Sequence, residues 1–276
     1  MVKKWNRAVK NTHPAAPLVM VFAGHDPSGG AGIQADIEAV ASQGCRAAPV
    51  VTAVTVQNTR GVKDYQIVDT ALVIEQARAV LEDMPVAAFK IGMLGSHLIA
   101  EAVHTLLAQH PHVPVVLDPV LASGSGQSLS DDALQEVIVS LLLPLTTVFT
   151  PNSLEARRFA PSADSLDACA QQLMEYGSDY VLITGTHERT PDVVNTLYGN
   201  RRRLESFSWK RLPQSYHGSG CTLASAIAGL LAQGNEPLSA VDEAQRYTWE
   251  TLKHAHHIGK GQALPNRFYW ARSGRE

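Results

Sequence analysis

The residues best placed for chemistry are His217-Gly218-Ser219-Gly220-Cys221-Thr222-Leu223. Gly218, Ser219 and Gly220 are small enough for backbone to approach a ligand closely. From Thr222 onward, Leu223, Ile227, Leu230 and Leu231 recur at helical spacing, so a helix begins between Ser219 and Cys221. The first turn of a helix offers unpaired N–H groups and the positive end of a dipole, and both favour an anion. A thiol at that end can have its pKa brought down from ~8.5 to roughly 3.5–7.5. An anion-binding turn beside a polarised thiol suits transfer of a phosphoryl group to a hydroxyl. The same residues also fit a plain glycine turn followed by a small buried cysteine, so the other segments must decide.

A second glycine-rich loop lies near the start. The apolar run Leu18-Val19-Met20-Val21-Phe22-Ala23 ends at Gly24, followed by His25-Asp26-Pro27-Ser28-Gly29-Gly30-Ala31-Gly32 and a helix expected over 33–43. The loop lacks the lysine of a Walker A motif, and Gly30-Ala31-Gly32-Ile33-Gln34-Ala35 ends in alanine where a dinucleotide fingerprint has glycine. It fits the cradle of a small molecule better, with Asp36 available as a hydrogen-bond acceptor. The β-rich stretch 46–56 runs into Gln57-Asn58-Thr59, whose amides can read the edge of a heterocycle or cap a turn.

Elements that would carry these residues can be read in order. Apolar strands are expected at 67–68, 86–91, 115–117, 147–150 and 180–184, and helices over 70–81, 96–109, 130–143, 166–176 and 238–256. Asn152 is a fitting helix cap, and residues 195–198 and 204–209 flank Gly199-Asn200 as a hairpin. Alternation of apolar strands with amphipathic helices predicts a mostly parallel sheet covered on both faces. Polar or small residues fall repeatedly where a strand stops: Gly24, Gln57, Lys90 with Met93, Asp118, Asn152 with Glu155, and Thr184. Ligands bind beyond the carboxyl ends of strands in such sheets, so these positions should converge. The segment 122–128 is rich in Gly and Ser and could fold over a substrate.

Composition narrows the class. The chain has 276 residues, 45% hydrophobic, with a net charge of −3, which gives no electrostatic footprint for nucleic acid or an anionic membrane. Cys45, Cys169 and Cys221 are odd in number and far apart, which predicts a reducing, cytoplasmic setting and no disulfide framework. The six apolar residues from Leu18 are too few for a membrane span or signal core, and residues 1–17 read as a loose leader before one domain over 18–276.

Several stretches resemble hydroxymethylpyrimidine/phosphomethylpyrimidine kinases. Residues 24–36 resemble that family's AG-x-DPSGGAGIQAD signature, Gln57-Asn58-Thr59 its QNT, Lys90-Ile91-Gly92-Met93-Leu94 its KIGML, and Asp118-Pro119-Val120 its DPV. Thr150-Pro151-Asn152-Ser153-Leu154-Glu155 resembles its TPN-x-x-E, and His217 to Leu223 its HGTGCTL. The resemblance implies a ribokinase-like three-layer αβα sandwich and two ATP-dependent phosphorylations in thiamine synthesis. It further implies that Asp36 and Gln57 hydrogen-bond the aminopyrimidine, in a pocket shaped by Gly24, Met93 and Val120. Gly218, Ser219 and Gly220 would form the anion hole and Cys221 would activate the acceptor. Asp118 and Glu155 would act around Mg²⁺, while Asn152, Thr184, Gly185 and Thr186 would lie on the nucleotide side. A homodimer is expected.

Two positions depart from the pattern. Thr184 replaces the usual lysine near the nucleotide phosphates, bringing no charge, and Tyr216 stands where Asn-Thr usually precedes His-Gly. Two alternatives follow. A pyridoxal kinase of the same superfamily, in its cysteine-bearing type, typically has a second lid cysteine, absent from Leu121-Ala122-Ser123-Gly124. A non-catalytic pyrimidine sensor would rest on Thr184 alone.

Overall fold

The computed structural model describes residues 16–121 and 132–272. The leader expected over 1–17 lies almost wholly outside the described residues, and the lid expected over 122–128 lies outside them entirely. Nine strands form one sheet: β1 (Leu18–His25), β2 (Arg46–Asn58), β3 (Gly61–Ile67), β4 (Val86–Ile91), β5 (Val115–Leu117), β6 (Val148–Phe149), β7 (Tyr180–Ile183), β8 (Asp192–Gly199) and β9 (Arg202–Lys210), in the order β3-β2-β1-β4-β5-β6-β7-β8-β9. From β2 to β7 every neighbouring pair is parallel; β3 joins one edge antiparallel, and β8 and β9 join the other.

The helices are α1 (Gly32–Ser42), α2 (Thr70–Leu81), α3 (His97–Leu107), α4 (Asp132–Val137), α5 (Ser153–Phe159), α6 (Leu166–Glu175), α7 (Ser219–Ala232) and α8 (Pro237–Lys253). Side chains alternate across a strand, and β1 shows the result. Met20 and Phe22 join Val73, Ile99, Val103, Phe159 and Leu173 in one core, while Val19 and Val21 join Ile33, Val40, Ile227, Leu230 and Val241 in the other. Burial on both faces is why β1 reads as an unbroken apolar run. The layers are thus helix, sheet, helix, as the sandwich expectation required.

Two expectations need correction. The short strand expected at 67–68 is the end of β3, which pairs antiparallel with β2. Lys63, Asp64 and Gln66 are exposed on this edge strand, so it lacks an apolar signature. The helix expected over 130–143 is described as α4 to Val137, a π-helical turn over Ile138–Leu142 and a 3-10 turn over Leu143–Leu145. Pro144 cannot donate to the helical ladder, which limits an α-helix here.

Candidate active site

The parallel strands end on one edge, and the loops beyond them enclose a cavity of about 640 Å³, within the range of small-molecule sites. Gly24, Gln57, Met93, Asp118, Val120, Asn152, Glu155, Thr184, Thr186 and the whole turn Gly218 to Cys221 line it. Two expected residues do not. Gly185 packs against the β8 backbone, where a side chain would collide with the Val194 carbonyl, and its N–H donates to Asn195 Oδ1 at 3.0 Å. Asp36 is fully buried on the sheet-facing side of α1, beside Ile33, Ala39 and Val40. It accepts from Ser225 Oγ at 2.6 Å and pairs with Lys90 Nζ at 2.9 Å. Its place is under the site, off the cavity wall, because the helical period that buries Ile33 turns Asp36 inward too.

Lys90 was only one of several strand-end residues in the sequence, yet it is central here. It lies near the end of β4 with no exposed surface, and a Cβ on Gly92 would stand 2.6 Å from its Nζ, so glycine leaves room for the ammonium. Burial opposes the charge, but Asp36 and Asp118 overcome it and hold the Lys90 pKa above its usual value. A lone lysine in an apolar strand was the available signal.

The cysteine turn has the expected geometry with different electrostatics. Gly218 caps α7 in a left-handed conformation, φ 79°, and a Cβ there would collide with the Gly30 carbonyl, so only glycine fits. Ser219, Gly220 and Cys221 form the first turn of α7, whose N–H groups have no intrahelical acceptors. The Cys221 thiol is not depressed as its helix position suggested. Burial pushes it up to about 12; Lys90 and a Gly32 N–H work in the opposite direction, but the charges of Asp118 and Asp36 add to the rise. Asp118, hydrogen-bonded by Cys221, is raised to about 6, by burial first and by Asp36, against the pull of Lys90.

Glu155 and Asn152 serve first as a capping box on α5. Asn152 Oδ1 accepts from the Leu154 and Glu155 amides at 3.0 Å each, and Glu155 Oε2 accepts from the Asn152 amide at 2.8 Å. Glu155 is raised to about 8 by burial and by the charge of Asp118. Thr184 lies beside this cap, its N–H donating to the Pro151 carbonyl at 3.0 Å and its carbonyl accepting from Ser153 at 3.0 Å.

Two arginines were missed in the sequence. Arg211 lines the cavity near Thr186 and donates to the Thr186, Glu188 and Thr190 carbonyls at 2.9, 2.9 and 3.1 Å. Arg267 is 2% exposed and donates to the Gly29 and Gly30 carbonyls at 3.3 and 2.5 Å and to Thr222 Oγ1 at 2.9 Å, tying the first glycine loop to α7. Both lie in unpatterned segments and are brought in by tertiary contacts. Trp209 and Trp249, with ring centroids 6.3 Å apart, form an aromatic wall at the Arg211 end.

Among the described residues no group of three or more His, Cys, Asp or Glu is arranged to hold a metal ion. Asp118 and Glu155 nevertheless fit a hard dication that takes its remaining oxygens from phosphate and water. Asp118 is buried and Glu155 partly so; both have raised pKa values, and the charge of Asp118 adds to the rise at Glu155.

The chain resembles proteins of known kind across this whole region. Hydroxymethylpyrimidine/phosphomethylpyrimidine kinase of Mycobacterium tuberculosis is 41% identical over 251 residues, covering 89% of this chain and 91% of that one. The crystal structure of phosphomethylpyrimidine kinase from Clostridium difficile superposes with a TM-score of 0.73 at 32% identity, covering 84% of this chain and 97% of that one. Pyridoxal kinase from Staphylococcus aureus, in complex with AMP-PCP and pyridoxal, has a TM-score of 0.83 at 25% identity, covering 94% of this chain and 96% of that one. The family model described as phosphomethylpyrimidine kinase matches residues 26–266, and the chain belongs to that family.

Proposed function

We propose that this protein transfers the terminal phosphoryl group of ATP to the hydroxyl of 4-amino-5-hydroxymethyl-2-methylpyrimidine. It then transfers a second to the phosphate of the resulting monophosphate, as thiamine biosynthesis requires. The observation that carries this reading is the convergence of the Gly218–Cys221 turn, Lys90, Asp118 and Gln57 on one cavity in a chain of this family. Gln57 holds the heterocycle over an apolar floor of Met93, Val120 and Val62. The N–H groups of Ser219, Gly220 and Cys221 receive the transferring phosphoryl oxygens, with the fixed charge of Lys90 beneath them.

Cys221 faces the acceptor. With its pKa pushed up to about 12 the thiol is neutral, so it takes the alcohol's proton only as it passes its own along the hydrogen bond to Asp118. Asp118, which accepts the thiol's hydrogen bond, is the carboxylate poised to share that proton. Glu155 would hold Mg²⁺ directly and Asp118 would reach it through water, and the ion would supply charge neutralisation at the phosphates. On the nucleotide side, Thr186 and the side-chain Nδ2 of Asn152 serve the phosphates, and Arg211 supplies the positive charge that Thr184 lacks. Trp209 and Trp249 offer a face for the base.

The test is product formation from Mg·ATP with the pyrimidine alcohol, its monophosphate and pyridoxal in parallel. Conversion of the two pyrimidines to mono- and diphosphate is the expected result. Turnover of pyridoxal alone would favour the second reading, supported by the likeness to the Staphylococcus aureus enzyme. Binding without turnover would favour a sensor.

A further inference from the structure

The pyrimidine end of the cavity contains a hydrogen-bond network whose proton bookkeeping has one solution. Asp26, 2% exposed, accepts at Oδ1 from the Ser28 amide and at Oδ2 from the Ala31 amide, at 2.8 and 2.7 Å. Burial raises its pKa, but the bonds from His217, Ser28 and Ala31 prevail and hold it down to about 2, so it is an ionised acceptor. His217 Nε2 lies 3.0 Å from Asp26 Oδ2 and must therefore carry the hydrogen. The Gln57 amide lies against this same nitrogen, its Nε2 at 2.5 Å, and on its other side its Oε1 is 3.2 Å from Thr55 Oγ1. Thr55 Oγ1 is also 2.9 Å from the His25 carbonyl, which can only accept, so the one hydroxyl hydrogen is spent there.

The two ends of an amide have the same shape, and hydrogen bonding decides which is which. With nitrogen toward His217, donor meets donor on one side and acceptor meets acceptor on the other. With oxygen toward His217, the one Nε2 hydrogen is shared in a three-centre bond between Asp26 Oδ2 and the Gln57 oxygen, and Gln57 donates to Thr55. Both conflicts vanish together. The remaining N–H and oxygen lone pair of Gln57, at the cavity wall, then present a donor on the Thr55 side and an acceptor on the His217 side.

We infer that Asp26 and His217 are positioning residues that lock the Gln57 amide in this order and so determine which way round the heterocycle binds. The complementary edge is a ring nitrogen next to an exocyclic amino group, paired in two hydrogen bonds as glutamine pairs with adenine. The amino group then lies toward His217, and a hydroxymethyl group on the adjacent ring carbon points onward to Gly218 and Cys221. The reversed amide would turn the same heterocycle's hydroxymethyl group away from the anion hole. Pyridoxal has no amino group beside its ring nitrogen and gains nothing from the lock. The substrate part of this inference rests on the proposed function; the lock itself does not.

The lock is tested on the unliganded wild-type protein by ¹⁵N NMR of His217. Hydrogen on Nε2 is expected, and a histidine protonated at Nδ1 alone overturns the proposal. The consequence is tested with His217→Phe, which removes the donor, and His217→Gln, which restores an N–H at a similar reach. His217→Phe should lower kcat for the aminopyrimidine roughly tenfold, because a freed amide also binds the heterocycle with its hydroxymethyl group turned away from the anion hole. It should also narrow the preference for aminopyrimidine over pyridoxal in calorimetric binding by a similar factor, and His217→Gln should recover most of both. An unchanged preference in His217→Phe, or equal loss in both variants, overturns the proposal. If the wild type turns over no aminopyrimidine, the proposed function fails, and the tautomer still decides the lock.

Discussion

Cys221 and Lys90 illustrate how far a residue's type predicts its state. The thiol's position at the start of α7 suggested a depressed pKa, but burial beside Asp118 and Asp36 raises it to about 12. Helix dipoles act within one turn and are modest, whereas desolvation and like charges at close quarters are larger. Cys221→Ala should lower kcat by roughly 10²–10⁴, the usual range for general acid–base groups, while pyrimidine affinity measured by calorimetry stays nearly intact. Full activity in that variant would remove the cysteine from the reaction. Lys90→Met would leave Asp36 buried without its cation, and breaking such a pair costs about 3–5 kcal/mol; chemical denaturation reads this directly. A loss below 1 kcal/mol would show that the pair behaves like a surface ion pair.

At the level of elements, α7 and its cap were legible in the sequence because small residues and helical spacing coincide. The left-handed Gly218 could not be read from letters, since its necessity comes from Gly30, far away in the chain. Gly218→Ala should destabilise the protein by more than the ~1 kcal/mol of an ordinary glycine effect and disable transfer, as measured by melting temperature and initial rates. The TPN-x-x-E segment was also legible, but its first duty is the capping box of α5. The phosphate side beyond Thr184 was not: Arg211 follows β9 and reaches the site only because the hairpin returns it there. Thr184→Lys should lower the ATP KM severalfold and Arg211→Gln should raise it, in initial rates at varied ATP. An unchanged KM in Arg211→Gln would discard the cationic role given to Arg211, whereas an unchanged or higher KM in Thr184→Lys would mean that another cation already serves.

For the molecule as a whole, coupling of distant segments governs the pH response. Asp26 is held down to about 2 by contacts from residues 28, 31 and 217, against 3.8 for the free group. The folded state binds fewer protons at this site than the unfolded state, so its stabilisation is present above pH 3.8 and disappears as pH falls toward 2. Thermal melts should show a steeper loss over that window in the wild type than in Asp26→Asn; parallel curves would contradict the assignment. We also propose that two copies associate; the exposed Val54 and Val56 on β2 support it, and light scattering should give twice the chain mass. No helix among the described residues is long and apolar enough to cross a membrane. The sequence by itself determined the alternation of strands and helices, the two glycine turns and the strand-end positions, because periodicity and backbone freedom are local properties. Only the tertiary structure decided that Asp36 lies under the site, that Lys90 is its buried cation, that Arg211 reaches it, that Arg267 ties the first glycine loop to α7, and that His217 orients Gln57. Charge pairing and proton sharing depend on distances through space, and residues 26, 57 and 217 have no relation until the sheet brings them together.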